Sequence, residues 1–274
     1  MARIIESPSN PLVKSLVALK DRRARDRTGT FLVEGARECM RALSSDLEVL
    51  SFLHAPGLHR AAGPYEQLHG LATDRVPDVV ELSDVAFGRL SMRQSPDGLA
   101  LLARRPSREL GRLGDLGGSL VLVLDGVEKP GNLGALFRTA DAAGVGAVLV
   151  SGAGTDLENP NVIRASQGSV FAVPNAVAEA GAIATYLRQR GHRLVATSPR
   201  AKSAHWEADY RGSVAVLLGA EDVGLAQRWL SEADELVSIP MSQGAADSLN
   251  VSVAGAVVLF EAVRQRALSA PRRH

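Results

Sequence analysis

Three segments of the sequence gather residues able to do chemistry. The first, Glu128-Lys129-Pro130-Gly131-Asn132-Leu133-Gly134-Ala135-Leu136-Phe137-Arg138-Thr139, follows an apolar strand pattern. Asn132 reads as a helix N-cap. Arg138, six residues on and flanked by Leu136, Phe137 and Ala140, has a rigid seat from which a guanidinium can fork onto a phosphate. The second segment, Leu217-Leu218-Gly219-Ala220-Glu221-Asp222-Val223-Gly224-Leu225, combines a carboxylate with glycines that permit close backbone approach. The third runs from Ile239-Pro240-Met241 to Ser248-Leu249-Asn250-Val251-Ser252, where capping of the last helix explains one of Ser248 and Asn250 but hardly both. Taken singly, each segment also reads as an ordinary strand-to-helix turn. The first is then a cap with a surface arginine, and the second an acid favoured near a helix N-terminus.

Other chemistries lack their residues. The turn after the strand ending at Leu124 holds no GxGxxG, and Gly152-Ala153-Gly154-Thr155-Asp156-Leu157 has Leu157 where a third glycine belongs. None of the four lysines follows a glycine, which excludes a P-loop, and no GxSxG nucleophile elbow occurs. The single cysteine, Cys39, excludes an internal disulfide, and the six histidines are scattered without zinc spacing, so no metal is expected. Residues 142–150 and 253–260 are the longest apolar stretches, and the first residues lack an apolar signal core. A cytoplasmic protein is expected.

The elements that must position these segments are legible from periodicity. From Ser119 onward, strands apolar throughout are expected at 119–124, 147–150, 194–197, 214–218 and 236–239. Helices are expected at 132–143, 161–170, 183–190, 226–232 and 250–267. This is a doubly wound parallel α/β sheet, and such sheets bind ligands in loops beyond the strand carboxyl ends. Before it, Asn10-Pro11 opens a short helix. Strands at 31–34, 47–53, 79–82 and 99–103 then alternate with helices, which indicates a small α/β sandwich. Glycine-rich residues 106–118 form a linker between an N-terminal domain, 1–105, and a C-terminal one, 119–274, making the first domain separable.

Charge is balanced overall, 31 basic against 30 acidic residues, but residues 1–30 carry seven basic side chains against three acids. Arg22, Arg23, Arg25 and Arg27 lie in that excess and suit RNA phosphates; a solvated helix end is the bland alternative.

The three segments together closely resemble the motifs of the SPOUT superfamily, in particular its SpoU or TrmH-like RNA ribose 2'-O-methyltransferases. Asn132, Gly134, Arg138 and Thr139 match the first family motif, and Gly219, Glu221 and Gly224 the second. Ile239-Pro240-Met241 with Ser248-Leu249-Asn250-Val251-Ser252 matches the third. Residues 1–105, with Phe31-Leu32-Val33-Glu34-Gly35, look like the L30e-type substrate-binding domain that many of these enzymes carry. The resemblance implies a deep trefoil knot, a homodimer whose subunits share each active site, and bound S-adenosylmethionine. It places the cofactor against Thr197, Ser198, Gly219, Glu221, Gly224, Ile239, Met241, Ser248 and Leu249. It also implies catalytic roles for Asn132, Arg138, Glu221, Ser248 and Asn250, with Arg138 also holding RNA phosphate and the proton passing to that phosphate or to Glu221. Ribosomal RNA, in particular 23S, is favoured over transfer RNA by the accessory domain. Base methylation and a non-catalytic RNA-binding or ribosome-assembly role are the alternatives.

Overall fold

The computed structural model describes residues 3–59, 62–152, 156–242 and 248–269. The chain forms two compact units, Met1–Pro106 with Asp156–Ala172, and Ser107–Thr155 with Val173–His274.

The first unit begins with β1 (Arg3–Ile5), α1 (Pro11–Ala18), α2 (Arg22–Thr28), β2 (Thr30–Glu34) and α3 (Ala36–Leu43). It continues through β3 (Val49–His54), α4 (Ala62–Arg75), β4 (Asp78–Leu82), α5 (Asp84–Leu90) and β5 (Leu99–Arg104). Asn10 caps α1, its side chain accepting from Leu12 N at 2.9 Å with Pro11 at the first helical position. The sheet order is β1-β4-β3-β5-β2, with β1, β4 and β3 parallel and β5 antiparallel to both neighbours. Alternation along the strands divides the core in two. Leu32, Leu53, Val80 and Leu82 pack with Val13, Leu16, Phe87 and Leu90 of α1 and α5. Phe31, Val33, Phe52 and Leu101, at the alternate positions, are also fully buried, and α3 lies against β2 and β5.

The second unit opens with β6 (Leu120–Asp125), α6 (Pro130–Ala142) and β7 (Ala147–Ser151). The chain then supplies α7 (Pro160–Ala165) and α8 (Ser169–Ala172) to the first unit. It returns through β8 (Asn175–Val177), α9 (Ala180–Gln189), β9 (Arg193–Thr197), β10 (Ser203–Ala204) and β11 (Val214–Gly219). It ends with α10 (Gln227–Glu232), β12 (Glu235–Ser238) and α11 (Val251–Ser269). The seven strands are all parallel, in the order β10-β12-β9-β11-β6-β7-β8. On one face, Ile183 and Leu187 of α9 and Trp229 of α10 pack against Val121, Val123 and Leu217. Against the other, α11 approaches α6 and β11 so closely that a Cβ on Gly255 would lie 2.5 Å from Leu136 and 2.8 Å from Leu218. The sheet is therefore doubly wound, as the buried apolar runs of its central strands β6, β7, β9 and β11 require. Among the described residues no helix is long and apolar enough to cross a membrane.

Two expectations change here. The single helix over 161–170 is broken, because Gln167 (φ 51°) and Gly168 (φ 83°) adopt left-handed backbone. Gly168 permits close contact with α3, since a Cβ there would lie 3.1 Å from Glu38 Cα. Residues 156–172, expected in the C-terminal domain, pack instead with the N-terminal sheet. Phe171 stacks on Phe31 at 6.1 Å, and Arg105 holds buried Glu158 at 2.9 Å.

Arg25 is turned away from solvent. It was expected among the arginines facing RNA, yet it is only 2% exposed and is ion-paired to buried Asp156. Its guanidinium also donates to the carbonyls of Leu19 at 2.8 Å and Lys20 at 2.9 Å. Arg25 lies with Ala24 on the buried side of α2, where an unpaired charge would be prohibitively costly. Arg22, Arg23 and Arg27 remain exposed, Arg22 lying 3.7 Å from Asp26.

Candidate active site

The carboxyl ends of β12, β9, β11 and β6 are neighbours, so the loops leaving them converge where parallel sheets bind ligands. At the end of β6, buried Asp125 accepts from Ser151 Oγ at 2.6 Å and from Ala226 N at 3.0 Å. It thereby ties the end of β7 and the chain before α10 to one carboxylate. After β11 the chain folds back at once. A Cβ on Gly219 would fall 2.2 Å from the backbone of Gly224 and Leu225, Gly224 N donates to Ala220 O at 2.9 Å, and Gly224 has φ 71°. Only glycine fits such an approach, and the tight turn fixes Glu221.

Asn132 is not the N-cap of α6. Pro130, with its preset φ, starts the helix two residues earlier, and Lys129 takes the cap position. Released from capping, the Asn132 side chain lies in the first turn and donates Nδ2 to Glu221 Oε1 at 2.6 Å. Asn250 Nδ2 donates to the same Oε1 at 2.6 Å and to Asn132 Oδ1 at 3.1 Å. Asn250 Oδ1 meanwhile accepts from Ser252 N at 3.0 Å and Ser252 Oγ at 2.6 Å, so one side chain both caps α11 and joins the site. The Lys129 ammonium holds Glu221 Oε2.

The structure thus joins Asn132, Glu221 and Asn250 from the three segments. It adds Lys129, an exposed lysine before a proline that gave no signal in the sequence. Asp125 also escaped notice, although a carboxylate ending an otherwise apolar buried strand was the available clue. Arg138 stands apart. It lies about 9 Å along α6 from Asn132 and about 120° around it, exposed and without a hydrogen-bond partner among the described residues. Ser248 is exposed and likewise makes no hydrogen bond among the described residues. The spacer 243–247 lies outside the described residues.

Thr197 Oγ1 donates to Leu217 O at 2.9 Å and Ser198 N to Val237 O at 2.9 Å, so both pin β9 to its neighbours. Beyond these strand ends, Ile239 and Leu249 are half-buried and Met241 exposed. Backbone groups at three adjacent strand ends with aliphatic side chains beside them suit a flat, phosphate-free adenosyl group.

The bond from Lys129, opposed by partial desolvation and reinforced by Asn132, holds the Glu221 carboxyl below the usual carboxylate range. Lys129 is reciprocally raised by Glu221. Because the folded pKa is depressed, the network is intact above the ordinary carboxylate value and loosens only as pH falls through the lower folded one. A carboxyl-carbon NMR titration of Glu221 is expected to place its midpoint below the ordinary value of about 4.3. Lys129→Met should move it upward and Lys129→Arg should not; an unmoved midpoint in Lys129→Met would detach the lysine from this role.

Residues 119–260 match the SpoU rRNA Methylase family, and residues 10–101 the MRM3-like substrate binding domain. The chain belongs to the SpoU rRNA methylase family. This SpoU family member is 36% identical over 223 residues to the 23S rRNA (guanosine-2'-O-)-methyltransferase RlmB of Ralstonia nicotianae, covering 81% of this chain and 83% of the relative. It is 30% identical to the 23S rRNA (uridine(2479)-2'-O)-methyltransferase of Streptomyces viridochromogenes, covering 97% and 93%. Among solved structures, an RNA 2'-O ribose methyltransferase superposes with TM-score 0.83 at 43% identity, covering 96% of this SpoU chain and 99% of the other. The AdoMet-bound rRNA methyltransferase of Sinorhizobium meliloti superposes with TM-score 0.86 at 31% identity, covering 96% and 98%.

Proposed function

We propose that this protein transfers a methyl group from S-adenosylmethionine to a ribose 2'-hydroxyl of 23S ribosomal RNA, in the cytoplasm. The observation that carries the reading is the hydrogen-bonded set Asn132, Glu221 and Asn250, drawn from three separate segments beyond the carboxyl ends of one parallel sheet. The residues beyond β9, β11 and β12 fit the cofactor: Thr197, Ser198, Gly219, Glu221, Gly224, Ile239, Met241, Ser248 and Leu249 would surround it. When bound, it supplies an electrophilic methyl on a sulfonium.

The chain's own groups do the rest. Glu221 is a weak base, because one of its oxygens accepts two amide donors and the other an ammonium; its role is to orient Asn132 and Asn250 towards the ribose. Ser248 borders the same substrate. Arg138, always protonated, holds an RNA phosphate and stabilises charge developing on the 2'-oxygen. The hydroxyl proton passes to an oxygen of that phosphate.

A homodimer and a trefoil knot belong to this reading. Val253 and Phe260 of α11 are each 49% exposed and support the pairing of two copies, which brings Arg138 of one protomer to its partner's site. Labelled methyl transfer to an unmodified 23S transcript, with the product mapped for 2'-O-methylation, tests the activity. Transfer to a base nitrogen, or none, would overturn it.

A further inference from the structure

The chain has two tryptophans in opposite settings. Trp229 is fully buried, whereas Trp206 is 53% exposed. The backbone fixes where Trp206 sits. β10 pairs in parallel with β12, Ala204 opposite Ser238, and His205 N donates to Ser238 O at 2.7 Å. Trp206 therefore continues past the carboxyl end of β12, on the edge of the sheet from which Ile239-Pro240-Met241 also departs. The indole is met edge-on by His205, with ring centroids 4.9 Å apart, and its exposed surface faces solvent.

The segment between β9 and β10, which leads into Trp206, carries Arg200 and Lys202, both exposed, and neither side chain has an ion-pair or hydrogen-bond partner among the described residues. The neighbouring acids are engaged: Glu207 accepts from Ala204 N at 2.9 Å, and Asp209 is held by Arg211 at 2.7 Å. An exposed indole with two exposed cations four and six residues before it in the chain, across the two-residue β10, matches the footprint of single-stranded nucleic acid binding, where the ring stacks a base and the cations follow the backbone. The single carboxylate of S-adenosylmethionine would answer at most one of the two cations, and an apolar partner face would have to desolvate them. The strand order sets the reach. Three spacings of about 4.8 Å separate β10 from β11, which carries the Glu221 turn, so the two lie about 14 Å apart, a span of a few nucleotides.

We propose that Trp206 is a stacking platform for an unpaired base of the substrate RNA a few nucleotides from the methylated ribose, with Arg200 and Lys202 on the adjoining phosphates. This rests on the ribosomal RNA methyltransferase reading above, and the wild-type chain's transfer to the 23S transcript tests that reading separately.

With the full-length protein, Trp206→Ala is expected to raise KM for the 23S transcript about tenfold, a usual scale for losing one stacked base. It should leave kcat, S-adenosylhomocysteine affinity and oligomeric state unchanged. Trp206→Phe, which keeps a ring, should restore KM to within about threefold. Arg200→Ala with Lys202→Ala should flatten the log-log salt dependence by about 1.4. Tryptophan fluorescence gives a readout independent of turnover. A single-stranded oligoribonucleotide should quench the wild-type protein and leave Trp206→Phe, which retains only buried Trp229, unquenched. An unchanged KM in Trp206→Ala, or no quenching in the wild type, overturns the proposal. So does a change in oligomeric state, which would assign the ring to a second copy, or a loss of S-adenosylhomocysteine affinity, which would assign it to the cofactor.

Discussion

Arg138→Ala is expected to lower kcat about 10²- to 10³-fold while S-adenosylhomocysteine binds with nearly unchanged affinity, the scale found when one preorganised charge partner of a transition state is removed. The expectation follows from where the arginine sits. Leu136, Phe137 and Ala140 are fully buried and hold α6 rigid, while Arg138 projects from the exposed side with no partner among the described residues. A guanidinium kept unpaired on a rigid helix is available to a phosphate without first breaking an ion pair. Arg138→Lys should recover little, since an ammonium keeps the charge but not the fork. If each site is built by two protomers, mixing Arg138→Ala with Asn132→Ala subunits should regenerate sites that carry both native residues, and turnover should rise above that of either variant alone. Loss of S-adenosylhomocysteine binding with normal turnover in Arg138→Ala would reverse the assignment.

The parts of this protein written locally in the sequence were legible there. The buried strands β6, β7, β9 and β11 have apolar interiors, and a run such as Leu120 to Leu124 has few other uses than a covered parallel sheet. Asn10-Pro11 announced α1 because capping is a matter of adjacent residues. The Gly219 turn was readable because only glycine permits its backbone contacts. Where local rules compete, the reading failed. Asn132 has the side chain of a cap, yet Pro130 two residues earlier claims the helix start. Short or polar elements gave no period to detect: β8 and β10 span three and two residues, and α2 reads Arg-Arg-Ala-Arg-Asp-Arg-Thr. Features made by distant partners were invisible. Lys129 meets Glu221 across 92 positions, and Arg25 meets Asp156 across 131.

That last pair carries the largest expected effect on stability. Arg25→Ala should destabilise the folded protein by about 3–5 kcal/mol, because it strands the buried Asp156 carboxylate without a counter-charge. Arg23→Ala, two residues away on the exposed side of α2, should change stability by less than about 0.5 kcal/mol. Replacing both partners by apolar residues, Arg25→Met with Asp156→Leu, should recover most of the loss, since neither charge is then left buried alone. Urea unfolding monitored at constant pH compares the three. A loss under about 1 kcal/mol in Arg25→Ala would mean that the pair is wet and replaceable. The same geometry reverses the expectation that residues 1–105 can be removed cleanly at the linker. A chain beginning at 119 would keep residues 156–172 but lose the sheet they pack on, exposing Leu157, Val162, Ile163 and Val170 and leaving Asp156 and Glu158 without Arg25 and Arg105. Such a truncation should aggregate, or should need those apolar residues made polar before it binds S-adenosylhomocysteine. If the unaltered truncation proves soluble and binds the ligand as the full chain does, residues 156–172 do not depend on the N-terminal sheet for their fold.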